Sequence, residues 1–319
     1  SHTPSKVERK DMDFFVNWVS VVPQFAVPFA LATLGLIICE RSGVLNLGAE
    51  GFMLVGAMIG AGATLVTGSP HLSLVLAALS AGTLSLLFGF LVITLRVNQV
   101  ISGLTMVFFA QGFTTLVSTK MNWTNKAFEG IGKIDFGPLA DIPLVGRLLF
   151  DQDIVVYITI LIFIVVAFAF ERTEQGLRIR AVGENPEAAD AAGVSVVMNR
   201  YFAVFIGCML VGLAGAYMSV VVSKIWVDGM SGGRGWIAIA LVIFARWRFW
   251  PALAGAALFG CVEALIPRIA AVGLQVPQYF VLMLPYVATL TVMVWASLGK
   301  NSSGAPGALG KPFVREERN

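Results

Sequence analysis

The chain is built around apolar stretches too long to serve as core segments of a soluble domain: Phe14–Ile38, Phe52–Thr67, Leu72–Leu95, Val100–Val117, Ile154–Phe170, Tyr201–Val222, Trp236–Ala245, Pro251–Ile269 and Tyr279–Leu298. A helix needs about 20 mostly apolar residues to cross a hydrocarbon core of about 30 Å, and each peptide group inside lipid must find its partner within the segment. These nine runs predict an all-α polytopic membrane bundle. Phe52–Thr67 and Trp236–Ala245 are short and follow glycine-rich polar stretches. They predict broken helices whose irregular backbone lines a protein-walled cavity. Composition agrees, with 57% of residues hydrophobic and 13% charged, against about a quarter charged in soluble chains.

Residues 14–298 form one transmembrane domain, preceded by a polar stub, 1–13, and followed by a polar tail, 299–319. The first apolar run exceeds a signal-peptide h-region and lacks a small-residue cleavage site, so it is expected to stay in the membrane. The polar segment 171–200 carries Arg172, Arg178, Arg180 and Arg200, which places it in the cytoplasm by the positive-inside tendency. Counting spans from there puts the N-terminal stub and residues 118–153 outside, and Arg96, the Arg246–Arg248 turn and the tail inside. Ten Arg and two Lys then fall inside, against four Arg and six Lys outside. The three cysteines, Cys39, Cys208 and Cys261, lie in apolar runs and suggest no disulfide framework. The formal charge of +3 is dispersed and points to no nucleic-acid polymer.

Within the cytoplasmic segment, Glu184 to Gly193 reads as one short helix. Asn185 is a good N-cap, Pro186 suits the first helical position, Glu187 favours the positive end of the helix dipole, and Gly193 can take the left-handed turn that ends it. Such a helix between two spans is a rigid peg, or else a solvated loop helix with no partner.

Glu187-Ala188-Ala189 followed by Gly193 resembles the coupling segment of ABC importer permeases, the cytoplasmic helix that docks in a groove of the ATPase. Glu40-Arg41-Ser42-Gly43-Val44-Leu45-Asn46-Leu47-Gly48-Ala49-Glu50-Gly51 resembles a segment near the start of the branched-chain amino acid, ribose and nucleoside branch of those permeases. Asn98 to Gly103 and Gly233 to Ala240 are similar to stretches of its nucleoside and simple-sugar subgroup. The resemblance runs from about Phe14 to Leu298. Ribose-type members carry a further span before the first run, so the polar stub favours the shorter nucleoside type. The resemblance implies a multi-pass protein of a bacterial inner membrane, partnered by cytoplasmic ABC ATPase subunits, a second permease chain and an external solute-binding protein. That external protein would meet segment 118–153, or Lys224 and Arg234.

No Gly-x-x-x-x-Gly-Lys-Ser/Thr phosphate cradle occurs, and Gly130-Ile131-Gly132-Lys133 lacks the spacing. ATP and Mg are therefore expected on the partner ATPase, with no cofactor in this chain. Gly229-x-Ser231-x-Gly233 matches a nucleophile elbow in form alone, because the only histidines are His2 and His71 and neither suits a base. No His, Cys and carboxylate grouping has metal-ligand spacing, so the chain reads as a transport subunit and not an enzyme.

A solute pathway needs polar side chains or exposed backbone in lipid. Asn46 and Glu50 lie in the break before Phe52, Gln99 opens the fourth span and Gln111 lies within it. Asn46 could equally cap the following helix, and Asn98 and Gln99 could equally start theirs. Glu263, well inside an apolar run, either pairs with Arg268 or takes part in transport, as a proton-coupled carrier would require. Phe108, Phe109 and Trp236 are the aromatic candidates for stacking on a base or sugar ring. The expected solute is a nucleoside or purine base, with a simple sugar as the alternative; a proton-coupled secondary transporter is the alternative of another class.

Overall fold

A computed structural model describes residues 6–134, 137, 145–271 and 304–314, with six helical positions between 280 and 294. Its helices are α1 (Lys6–Arg41), α2 (Ala49–Thr67), α3 (Pro70–Gly89), α4 (Gln99–Lys120), α5 (Val145–Phe150), α6 (Ile154–Arg172), α7 (Glu174–Glu184), α8 (Pro186–Ala191), α9 (Val196–Tyr217), α10 (Arg234–Phe244) and α11 (Phe249–Ala271). No β-strand occurs among the described residues. Among the described residues seven helices are long and apolar enough to span a membrane: α1 from Phe14, α2, α3, α4, α6, α9 and α11, with α3 and α9 prolonged by the π-helical turns Phe90–Thr94 and Met218–Ser223. The expected ninth run, Tyr279–Leu298, lies outside the described residues save for those isolated positions.

The seventh expected span differs from the others. Helix α10 has 11 residues, about 17 Å at 1.5 Å per residue, which crosses little more than half of the hydrocarbon core. Residues before it therefore enter the bundle as irregular chain. The second expected break, before Phe52, closes into a helix sooner: α2 starts at Ala49 and runs 19 residues. Helix also extends into the N-terminal stub, from Lys6.

Helix α9 is the axis on which α1, α2 and α3 pack. Small residues set these approaches. A Cβ on Gly56 would overlap the Gly212 carbonyl, one on Gly215 the Met53 carbonyl, and one on Gly35 the Gly207 carbonyl. Lipid offers no hydrophobic force between helices, so such backbone-to-backbone approach supplies the dispersion energy of association.

Both ends of the bundle are tied by loops. At the arginine-rich end Arg200, 1% exposed, donates from Nε to the Ser42 carbonyl at 3.2 Å and from Nη1 to the Lys311 carbonyl at 3.3 Å. The tail Gly304–Val314 lies across this end: Ala308 N–H donates to Gly183 O (2.9 Å) and Gly310 N–H to Gly43 O (3.1 Å). At the opposite end Gln152 donates to Ser20 O (2.7 Å), Asn125 N–H to Trp226 O (2.9 Å), and Lys133 pairs with Asp151 (2.7 Å).

Candidate functional site

Two interruptions of helix meet inside the bundle. The stretch before α2 carries Glu50 in the first turn of that helix, and the glycine-rich stretch before α10 turns at Gly233, whose φ of 85° is left-handed and suits glycine. The helix that starts there leaves amide N–H groups unpaired. Glu50 supplies the acceptors: Oε1 takes the Gly233 N–H and Oε2 the Gly235 N–H, both at 2.7 Å. Position 235 must be glycine for this approach, because a Cβ there would overlap the Glu50 backbone nitrogen. A carboxylate side chain at the N-terminal end of a helix fits this place, because it supplies acceptors to two N–H groups that the helix itself leaves unpaired.

Beside this clasp lies a cavity of about 380 Å³ lined by Glu50, Gln111, Phe108, Trp236, Ser231 and Leu54, among others. That volume falls in the roughly 300–1,000 Å³ range of small-molecule sites. Its chemistry is mixed, with one carboxylate, one carboxamide, one hydroxyl and two aromatic faces. It opens along α4, where Phe108 is 71% exposed. Four of the residues expected in the pathway, Glu50, Phe108, Gln111 and Trp236, are thus brought to one site.

The other four lie elsewhere. Asn46 is fully buried; its Oδ1 accepts the Gly48 N–H at 2.9 Å and its Nδ2 donates to Cys208 Sγ at 3.2 Å, which satisfies the break before α2. Gln99 is buried at the start of α4, and its Oε1 accepts the Leu45 N–H at 2.6 Å. Phe109 stacks on Phe113, ring centroids 5.9 Å apart and 10° from parallel, on a different face of α4 from Phe108. Glu263 pairs with Arg234 at 2.7 Å and not with Arg268, so the expected partner is corrected. Arg234 is one helix over and ideally placed, whereas Arg268 is on Glu263's own helix. The pair lines a second cavity of about 210 Å³, with Met218, Phe25 and Gln24.

The sequence reading passed over Ser231 and Leu54 as cavity residues. For Ser231 the one usable sequence signal is the run of glycines around it, the mark of irregular backbone inside a bundle.

The expected short helix is formed. Asn185 caps α8 by accepting the Ala188 N–H at 3.0 Å, Pro186 opens it, and Gly193 leaves it at φ 83°. Glu187, Ala188 and Gly193 are exposed, while Ala189 turns inward against Val182, Val196 and Phe313 of the tail. The peg stands on α7, an 11-residue helix not foreseen in a segment read as polar loop. Gly183 of α7 packs so closely on Arg41 that a Cβ would overlap its carbonyl. The helix read as coupling segment is therefore connected, through α7, to the break that leads to Glu50.

Comparison with known proteins agrees in kind. The sequence profile of the family described as branched-chain amino acid transport system permease component matches residues 21–293. The chain is 38% identical to a putative glucose ABC transporter permease protein of Haloferax volcanii over 96% of this chain and 99% of the relative. It is 34% identical to a guanosine ABC transporter permease protein of Bacillus subtilis (92% and 95%) and 30% identical to a nucleoside ABC transporter permease protein of Lactococcus lactis (92% and 95%).

Proposed function

We propose, for a chain that belongs to the branched-chain amino acid transport system permease family, that the cavity at Glu50, Gln111 and Trp236 is its share of an import pathway for a nucleoside. The protein is the permease subunit of an ABC transporter and crosses the membrane several times. The observation that carries the solute reading is the cavity, where two aromatic side chains and three polar ones face one volume. A purine or pyrimidine ring can stack on Phe108 or Trp236, while Gln111 and Ser231 offer hydrogen bonds to base or ribose. Two relatives named for guanosine and nucleoside transport support the same reading.

A simple sugar is the second reading, favoured by the 38% identity to a permease named for glucose. The proton-coupled alternative gains nothing from the comparisons, and the carboxylate that prompted it, Glu263, is occupied by Arg234.

The α4 face of the cavity supports a second permease chain: α4 is the least enclosed of the described spans, with 28% of its apolar stretch buried, and the cavity opens on that side. A partner ATPase docks on Glu187 and Ala188, hydrolyses ATP with Mg, and moves α8 and α7. Because α7 rests on Arg41, that motion reaches the break before α2 and so the Glu50 clasp. An external binding protein delivers the solute to the opposite end.

The test is uptake of labelled guanosine and of labelled glucose by proteoliposomes holding the complete transporter. Guanosine uptake that unlabelled adenosine suppresses and glucose does not supports the nucleoside reading; the reverse pattern establishes the sugar.

A further inference from the structure

At the arginine-rich end, where α6 stops and α11 starts, a cleft of about 200 Å³ is lined by Arg41, Arg180, Arg248, Glu171, Phe249 and Trp250, among others. Three guanidinium groups thus share one small volume. Glu171 is the one carboxylate among the lining residues, while Glu184 lies near Arg41 and Glu40 is buried behind Trp247. Among the described residues the ion pairs join Lys133 to Asp151, Arg178 to Glu174 and Arg234 to Glu263, and none includes an arginine of the cleft.

The cleft is built and held. Arg41 donates from Nε and Nη2 to the Trp247 carbonyl at 3.0 and 2.9 Å, which fixes its guanidinium at the wall. The Trp247 indole N–H donates to the buried Glu40 at 2.5 Å. These bonds hold Arg246 and Trp247, with φ of 52° and 55°, in the left-handed region that non-glycine residues avoid. Strained backbone of this kind persists where the surroundings over-determine it, often at ligand clamps. Its effect here is to present Arg248 and Trp250 together at the cleft mouth.

The remaining wall is apolar. Phe170 and Phe249 are buried and meet edge to face, ring centroids 5.2 Å apart, while Trp250 is 53% exposed. An exposed tryptophan beside arginines at the end of membrane helices marks the level of lipid headgroups. A soluble anion needs the arginines only; an amphiphile needs both halves of this cleft.

We propose that the cleft binds the phosphate of an acidic phospholipid, with Arg180 and Arg248 on the phosphodiester and Trp250 against the glycerol and upper acyl chains. Arginine suits phosphate because its planar fork offers paired N–H donors, and basic pockets between membrane helices take anionic headgroups for this reason. The bound lipid would join the end of α1, the start of α11 and helix α7, on which α8 packs. The proposal rests on membership of the membrane bundle and is independent of which solute is carried.

The full-length chain, purified in detergent, is to be unfolded thermally with phosphatidylglycerol, phosphatidylcholine or inorganic phosphate at equal phosphorus concentration. A ligand of the folded state raises the midpoint. Phosphatidylglycerol should raise it by several degrees and the other two should not. Arg180→Gln with Arg248→Gln should remove that rise, and Arg172→Gln with Arg178→Gln, which removes the same charge outside the cleft, should keep it. Equal shifts with both lipids, an equal shift with inorganic phosphate alone, or a full shift in the cleft variant would each overturn the proposal. If the double variant does not fold, Arg248→Gln alone serves, read by native mass spectrometry: it should retain one fewer phosphatidylglycerol than wild type, and equal retention counts against the site.

Discussion

One carboxylate, Glu50, accepts the backbone N–H groups of both Gly233 and Gly235 at 2.7 Å, so two segments 183 residues apart in sequence are clasped at the wall of the cavity. Glu50→Gln keeps the size of the side chain but replaces one acceptor with a donor that faces an N–H. A buried donor left without its acceptor costs about 1–3 kcal/mol. The variant should melt lower by that measure and import at a rate reduced at least tenfold, as read by initial uptake in proteoliposomes. Uptake within twofold of wild type would remove Glu50 from the working site.

The helix axis should be intolerant of methyl groups where backbones touch. Gly215→Ala drives a Cβ into the Met53 carbonyl, and overpacking of this kind costs about 1–3 kcal/mol or more. Gly112→Ala, on the open face of α4 with nothing near its Cβ position, should be neutral or gain up to about 1 kcal/mol of helix propensity. Thermal unfolding in one detergent compares the two directly.

Glu263 and Arg234 should behave as a structural pair. Their side chains are 9% and 27% exposed, and leaving one member of a buried pair alone costs about 3–5 kcal/mol. Arg234→Ala should therefore destabilise strongly, and Arg234→Ala with Glu263→Ala should recover part of the loss in a double-mutant cycle. Uptake should depend on ATP and be unaffected when the proton gradient is collapsed; a dependence on that gradient would bring back a carrier role for Glu263.

The bundle and its peg were legible because their signals are local. Apolar length marks the spans, and Asn185, Pro186 and Gly193 mark the start and end of α8 within a few residues of one another. The contents of the cavity were half legible. Glu50 and Gln111 stand out as polar groups in apolar runs, but Phe108 and Phe109 are neighbours in sequence, and only the helical turn of about 100° per residue separates the one at the cavity from the one stacked on Phe113. Glu263 with Arg234 was not legible, since its partner lies across space on another helix and Arg268 is the nearer arginine in sequence. Helix α7 was hidden by its polarity: its buried face is only Gly176, Ile179, Val182 and Gly183, too few apolar residues to show a period.

The account turns on α8 carrying force from a separate ATPase to the clasp at Glu50, and the most direct measurement is solute imported per ATP hydrolysed by the reconstituted transporter with Glu187→Lys. Glu187 is exposed on the first turn of α8, so the change should leave insertion and melting intact. Import should fall to background while any remaining ATP hydrolysis no longer responds to solute. Import at the wild-type rate and stoichiometry would contradict the account.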